Sequence, residues 1–376
     1  MAGSILFFIL SQLISGTFYA ITQKVMLQIK SVGYDDVTHY FDKPFTQALL
    51  MSFSMIFSLI VRCFWDSNGK PPHPPTAFKT RLILAIPATC DLITTTLNVF
   101  GLIYINVSIF QMLRGAQIIF TSILSVIILK KRLKGYEIFG IFIVIVALTL
   151  VGFAGMYIPS SDSSDDSNGR TIKEKILGSF LVIGAQISYS IQIIIEEYFL
   201  HVKFKDNLGA LEVIGNEGMM GFLIIIFIFL PFAYLCPGND PSTMAGGSLE
   251  NTWDTILMVY HKPIILVVFL LFIIFSGSYN IFCMCVIAFS SSLNEAIVDA
   301  ARTLLIWVCM LISYKIGLPF GEQWNSYSLI ELSGFFLLVT GSFIFDGNLK
   351  LPGCNYTITA EEQTLLDNNS KIYQTC

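Results

Sequence analysis

VSIFQMLRGAQIIFTSILSVIIL, residues Val107–Leu129, is apolar from end to end except for Gln111, Arg114, Gln117 and a few hydroxyl side chains. A helix rises about 1.5 Å per residue, so a run of this length crosses a hydrocarbon core of roughly 30 Å. A strand there would leave backbone groups unpaired in lipid, which makes a helix the only element that fits. An arginine inside such a helix is costly and is read as functional by default.

Outward from this run the pattern recurs. Ten segments are long and apolar enough to span: Ser4–Met26, Phe45–Trp65, Arg81–Ile105, Val107–Leu129, Tyr136–Ile158, Glu174–Leu200, Gly209–Leu235, Pro263–Phe289, Leu293–Lys315 and Tyr327–Phe345. The composition agrees: 54% of the 376 residues are hydrophobic, only 13% are charged, and mean hydropathy is +0.71. Soluble domains carry about 25% charged residues. The expected fold is an all-α integral membrane protein with the lipid bilayer as its main partner. The first run lacks a basic n-region and is too long for a signal-peptide core, so it is read as a retained span.

Loop charges orient the chain. With the N-terminus cytosolic, the cytosolic loops hold Lys70, Lys79, Lys130, Lys131, Arg132, Lys134, Lys203, Lys205, Lys350 and Lys371. The opposite side holds Asp35, Asp36, Asp42, Asp162, Asp165, Asp166, Asp240 and Asp254, against a smaller set of bases that includes Lys30, Lys43, Arg170, Lys173 and Lys262. Ten spans return the C-terminus to the cytosol. Ser160–Asn168 and Pro237–Ser248 read as flexible, exposed loops.

A ninth-helix stretch answers the first. Aligning Arg114 with Arg302 sets Gln111 on Asp299, and each helix is followed by one containing spaced glycines, Gly140 and Gly152 or Gly334 and Gly341. Five spans per half make this an inverted repeat, the plan of many secondary transporters. The expected units are a first repeat over 1–158, an acidic loop over 159–173, a second repeat over 174–346 and a cytosolic tail over 347–376.

Asp91, Arg114, Glu217, Glu295, Asp299 and Arg302 are the deep ionisable residues. Glu196, Glu197 and Glu212 lie near helix ends and are expected to reach water, and Glu331 is expected at the interface. Glu295, Asp299 and Arg302 share one helical face, with Asp299 and Arg302 placed to pair. Arg114 has no carboxylate a turn away on its own helix. Substrate binding is assigned to Asn98, Gln111, Arg114, Gln186, Gln192, Asn280, Asp299 and Arg302. Proton coupling is assigned to Asp91, Glu217 and Glu295, because burial favours the neutral carboxyl. A purely architectural ion pair is the competing account of Asp299 and Arg302.

Other chemistries lack their residues. There is no Walker loop, no CxxC pair and no Cys/His spacing for zinc, so no enzyme, cofactor or metal is expected. No long basic tract suits a nucleic acid. The four histidines fall between spans and are read as solvated, and the cysteines as small apolar fillers. In the tail, Glu361 stands four residues before Leu365-Leu366, the acidic dileucine pattern read by a cytosolic sorting adaptor. Sequons at Asn355 and Asn368 would go unused on that side.

The chain resembles the drug/metabolite transporter superfamily and, within it, the F branch of the solute carrier 35 family, of the sixth-member type. The likeness is carried by Pro87–Asp91, by Ser108-Ile109-Phe110-Gln111-Met112-Leu113-Arg114-Gly115 on to Ile119-Phe120-Thr121, and by Ala185-Gln186-Ile187, Gln192 and Glu196-Glu197. It continues through Gly215-Asn216-Glu217-Gly218, Gly221-Phe222, Asp299, Arg302-Thr303 and Ile306-Trp307, and departs at Glu212. The resemblance implies ten helices in two inverted repeats, alternating access, and distant similarity to nucleotide-sugar carriers and to chloroquine-resistance-type transporters. It also implies a lysosomal membrane and a link to adenine-nucleotide translocase. It supplies no substrate. The expected function is secondary-active transport of a small polar or charged solute across a lysosomal or other endomembrane; a Golgi nucleotide-sugar antiporter and a non-transporting membrane scaffold stand as alternatives.

Overall fold

The computed structural model describes residues 2–66, 78–105, 107–128, 133–157, 171–203, 209–238, 240–243, 247–318 and 328–345, with a few isolated positions beyond. In chain order the elements are α1 (Ala2–Leu27), a hairpin of β1 (Lys30–Val32) and β2 (Thr38–Tyr40), α2 (Pro44–Asp66), α3 (Phe78–Ile83), α4 (Ala85–Tyr104), α5 (Val107–Leu113), α6 (Gln117–Ile128) and α7 (Gly135–Tyr157). There follow α8 (Ile172–Tyr198), α9 (Ala210–Ile224), α10 (Leu230–Leu235), α11 (Thr252–His261), α12 (Ile264–Phe289), α13 (Ser292–Lys315) and α14 (Ser328–Phe345). Each of the ten expected spans coincides with one of these helices or with a consecutive run of them.

Local chemistry sets the boundaries. Thr171 and Glu174 form a capping box at the start of α8, the Glu174 N–H donating to Thr171 Oγ1 at 3.4 Å and the Thr171 N–H to Glu174 Oε2 at 2.8 Å. Ser291 caps α13 by accepting from the Asn294 N–H at 3.2 Å. That helix ends at Gly317, whose φ of +84° suits glycine.

The expected single helix over Val107–Leu129 is not continuous. A 3₁₀ turn over Arg114–Ala116 separates α5 from α6 and places Arg114 at the break. The seventh span is likewise interrupted, by a π-helical turn over Ile225–Phe229 between α9 and α10. Such breaks recur at functional positions.

The closest packing joins α1 with α12, α4 with α8, α2 with α9 and α7 with α14; α13 packs on both α5 and α6. Lipid supplies no hydrophobic force between helices, so close backbone approach and polar pairs hold them. Gly140 on α7 and Gly341 on α14 face each other: a Cβ at Gly140 would lie 2.7 Å from the Gly341 carbonyl oxygen, and one at Gly341 3.0 Å from that of Gly140. Across α2 and α12, Ser54 and Ser276 hydroxyls meet at 2.8 Å.

The stretch Pro237–Ser248, expected to be flexible and exposed, is tied down at its ends. Asp240 and Ser248 exchange backbone hydrogen bonds of 2.9 and 3.0 Å, Ser248 is buried, and the chain runs on into α11. The residues of 159–168, the Glu331 side chain and the tail with Glu361, Leu365 and Leu366 lie outside the described residues.

Candidate functional site

The fourth and ninth spans bring the central charges together, with the first and eighth packed against them. Asp299 of α13 lies between two guanidinium groups: Arg302 Nη2 is 2.5 Å from its Oδ1 and Arg114 Nη2 is 3.0 Å from its Oδ2. The Tyr279 hydroxyl of α12 donates to Oδ1 at 2.9 Å. Arg302 also lies over the Tyr279 ring, 4.5 Å from its centre, and Nη1 donates to the Gly16 carbonyl at 3.2 Å. Gly16 makes that approach possible, because a Cβ there would sit 2.6 Å from Arg302 Cδ. Tyr19 stacks on Tyr279 with ring centres 5.6 Å apart. Asp299 and Arg302 are fully buried, and the Arg114 side chain is 10% exposed. The Nε–H groups of both arginines have no hydrogen-bond partner.

One turn before Asp299, Glu295 collects neutral donors. Gln117 Nε2 reaches it at 2.8 Å, the Tyr189 hydroxyl at 3.2 Å, and Gln12 Nε2 and Cys283 Sγ at 3.4 Å each. The carbonyl oxygens of Gln12 and Gln117 are left buried and unpaired. Centre and surroundings therefore combine ionic pairs with unused amide and guanidinium groups.

A second polar group lies between α4, α8 and α9. Gln192 Nε2 donates to Glu196 Oε1 at 2.9 Å and to Glu217 Oε1 at 3.0 Å. Asp91 of α4 is buried beside this group and lies in the field of Glu196. Glu196 and Glu217 are buried, which corrects the expectation that Glu196 reaches water. The same correction holds for Glu197, which accepts from Ser292 at the start of α13, and for Glu212, whose Oε1 is 2.8 Å from Arg62 Nη1.

Residues 9–229 match the PUNUT family, described as purine nucleobase transmembrane transport. Solute carrier family 35 member F6 of Homo sapiens is 33% identical over 317 residues, covering 82% of this chain and 79% of that protein. The Pongo abelii protein of the same name is 32% identical over 313 residues with the same coverage. The uncharacterized protein C12G12.12 of Schizosaccharomyces pombe is 26% identical over 276 residues, 73% of this chain and 76% of its own length. The chain belongs to the solute carrier 35 family. As a solute carrier 35 protein it is a multi-pass, non-enzymatic membrane transporter that works on a small-molecule solute.

The solute carrier's central pairing joins Arg114, Asp299 and Arg302 as expected, and it supplies Arg114 with the carboxylate its own helix lacks. The other assignments divide. Gln192, expected to bind substrate, belongs to the acidic group with Asp91 and Glu217. Glu295, expected to work with that group, sits with Gln12, Gln117 and Tyr189 instead. Gln186 bonds Asn98 at 3.3 Å and forms a separate α8–α4 link. Gln111 is buried with its Oε1 unpaired, and Asn280 buries an unpaired Nδ2. Gln12, Gly16, Tyr19, Tyr189 and Tyr279 went unassigned. The polar residues of the first span, Gln12 among them, were the hint the sequence offered.

At the end of the bundle where α1 runs into the hairpin, a polar cap joins that hairpin, the start of α2 and the loop before α11. Lys43 is wholly buried, 2.5 Å from Asp254 Oδ2 and in contact with Asp240 Oδ2. His39 is a strand residue rather than a solvated loop histidine. Its Nδ1 faces the Tyr40 carbonyl at 3.0 Å and its Nε2 faces Asp254 Oδ1 at 3.3 Å. Both ring nitrogens thus meet acceptors, which suits the imidazolium and raises its pKa, chiefly through the Asp254 bond. His201 and His261 are also bonded, to the carbonyls of Ile287 and Val32. Burial pushes Asp254 up, but His39, Lys43 and the Tyr34 N–H outweigh it and hold the carboxyl at about 2. Glu250 accepts from the Phe45 and Thr46 N–H groups at 2.7 and 2.8 Å, capping α2, yet burial moves it to about 7. His39, Asp240 and Asp254 have metal-ligand atoms within 4.8 Å of one another, but the Lys43 ammonium already occupies the cation position between the two carboxylates. A cleft of about 600 Å³ lined by Tyr34, Tyr234 and Trp253 opens at this end and includes none of the central charges.

Proposed function

We propose that this solute carrier moves a small, polar, uncharged heterocycle of the purine nucleobase class by alternating access, with Arg114, Asp299 and Arg302 at the binding centre. The observation that carries the reading is the pair of buried, unpartnered Nε–H groups on Arg114 and Arg302. An orphaned buried donor costs about 1–3 kcal/mol, and a ligand acceptor removes that cost. The unpaired amide oxygens of Gln12 and Gln117 offer acceptors to exocyclic amines nearby, and the Tyr19–Tyr279 stack offers an aromatic surface. The family description over residues 9–229 names solutes of this kind.

A nucleotide sugar suits the centre less well. Its diphosphate needs uncompensated positive charge, whereas both arginines already share Asp299 and Glu295 stands one turn away. A scaffold needs no unsatisfied donors at its core. Two inverted five-helix repeats, 1–158 and 174–346, are part of the proposal. If each span corresponds to the one five later, the first–eighth and third–sixth pairs exchange, while the second–seventh, fourth–ninth and fifth–tenth pairs map onto themselves. That is the packing pattern of the bundle. Breaks at Arg114–Ala116 and Ile225–Phe229 supply the discontinuous helices common in such carriers. Coupling to protons, cytosolic termini, delivery to lysosomes through Glu361, Leu365 and Leu366, and contact with a sorting adaptor and with adenine-nucleotide translocase complete the reading.

Purified protein in liposomes, assayed for counterflow of labelled adenine, guanine, nucleotide sugars and amino acids, tests it. Uptake of nucleobases that is weakened in Arg114→Gln supports the reading. Uptake of nucleotide sugars alone, or of nothing by correctly folded protein, refutes it. Replacing Leu365 and Leu366 by Ala should shift the protein to the cell surface; unchanged location would reject the sorting signal.

A further inference from the structure

We infer that Glu196 and Glu217, joined through Gln192, form with the neighbouring Asp91 a proton-binding site distinct from the Arg114–Asp299–Arg302 centre. The inference deepens the proton coupling proposed above by moving it away from Glu295 and giving Glu196, which the sequence reading left at the interface, a central place.

Three spans contribute one carboxyl each: Asp91 from α4, Glu196 from α8 and Glu217 from α9. All three are buried. Among the described residues, no lysine or arginine forms an ion pair with any of them. On the helices packed around them, Arg62 of α2 is engaged by Glu212 at 2.8 Å, and Arg81 stands on α3, which packs on α4 and α9. The remaining titratable neighbours are also acids or neutral: Cys90 on α4, Tyr189 and Glu197 on α8, Cys283 on α12 and Glu295 on α13. Glu197 is turned to Ser292.

A single amide serves this group. The two N–H bonds of Gln192 go to Glu196 Oε1 and Glu217 Oε1. Because both carboxyl oxygens accept from the same nitrogen, at 2.9 and 3.0 Å, the two acids are held close together, the arrangement in which carboxyl pairs share a proton. Glu217 Oε2 and Gln192 Oε1 stay buried with no partner, one an open position for a proton and the other an acceptor for it. Like charges this close, in a setting of low dielectric with no counter-ion, cannot all ionise. The ligand that fits is a proton, held on Glu217 or Glu196. Cys283, which bonds Glu295 and feels the field of Glu196, lies between this site and the solute centre.

The test is infrared difference spectroscopy of the full-length protein in lipid nanodiscs, titrated from acid to alkaline pH with no solute present, so that it does not depend on transport. A protonated-carboxyl C=O signal should persist at neutral pH and titrate out above it. Asp91→Asn, Glu196→Gln and Glu217→Gln should each reduce or shift that component, whereas Glu295→Gln should leave it in place. Absence of a protonated signal at neutral pH in the parent protein would overturn the proposal. So would a signal unmoved by all three substitutions, or a titration displaced by exchanging choline for sodium, which would mark a metal-cation site instead. Because the parent titration decides the first of these outcomes, misfolding of a variant does not protect the idea.

Discussion

Lys43→Met tests how the polar cap is held. The side chain is completely buried and its ammonium meets Asp254 at 2.5 Å and Asp240 closer still. Methionine keeps much of the volume but leaves two carboxylates facing each other with one partner gone. Breaking a buried pair in this way costs about 3–5 kcal/mol, because the remaining charge is uncompensated. With about 2.1 cal/mol/K of unfolding entropy per residue, a 376-residue chain shifts its midpoint by about 1.3 °C per kcal/mol. The expected fall is therefore about 4–7 °C, read by intrinsic tryptophan fluorescence during thermal unfolding in detergent at neutral pH. The triple variant Lys43→Met, Asp240→Asn, Asp254→Asn removes the charges together. It should recover most of the loss, since the amide introduced in place of the Asp254 carboxylate still offers an oxygen to His39 and the Tyr34 N–H. A single variant within about 1 °C of the parent, or a triple variant no better than the single, would refute the account of the cap as a charge-compensated joint.

The same cap should respond to pH. His39 is raised by its bond to Asp254, and Glu250 is raised to about 7 by burial, so in both cases the folded form binds the proton more tightly than the unfolded chain. Stability from these two is full below the unfolded value of each and declines as pH rises, from about 4.5 through about 7 for Glu250 and above about 6.5 for His39. Asp254, held at about 2, acts in the opposite sense, and its contribution is lost only as pH falls below about 4. Thermal unfolding across that range should show a decline towards alkaline pH that flattens in Glu250→Gln; a rise would contradict the assignment. Arg114→Gln removes a buried guanidinium donor while Asp299 keeps Arg302, so the fold should survive. The half-saturating solute concentration should rise roughly 10- to 150-fold, the equivalent of about 1.5–3 kcal/mol for a charged hydrogen bond; an unchanged value would remove Arg114 from the site. Gly16→Val drives a side chain into Arg302 and Tyr279, and overpacking there should cost about 1–3 kcal/mol and impair transport. Full activity in that variant would show that the Arg302 position is unimportant.

The limits of the sequence reading follow from what hydropathy records. The helices emerged in their places because each satisfies its own backbone within one apolar run, a local property. The Asp299–Arg302 pair was legible for the same reason, being a contact of i and i+3 on one helix. The cap was missed because its partners are far apart in sequence: Lys43 and Asp254 are separated by 211 positions. Glu196 was misread because nearness to a helix end says nothing about which neighbours cover that end. Gln192 and Gln186 lie on the same helix, α8, and look alike in sequence, yet one meets Glu196 and Glu217 while the other meets Asn98.

By itself the sequence determined that the chain lives in a membrane, that apolar helices cross it, and that Arg114, Asp299 and Arg302 lie too deep to be ordinary surface charges. Only the tertiary structure decided that Arg114 shares Asp299 with Arg302, that Glu295 belongs with amides, and that Glu196 and Glu217 share one amide beside Asp91 with no ion-pair partner among the described residues. The physical reason is that burial of apolar length is written along one helix, whereas compensation of a buried charge depends on which helices meet.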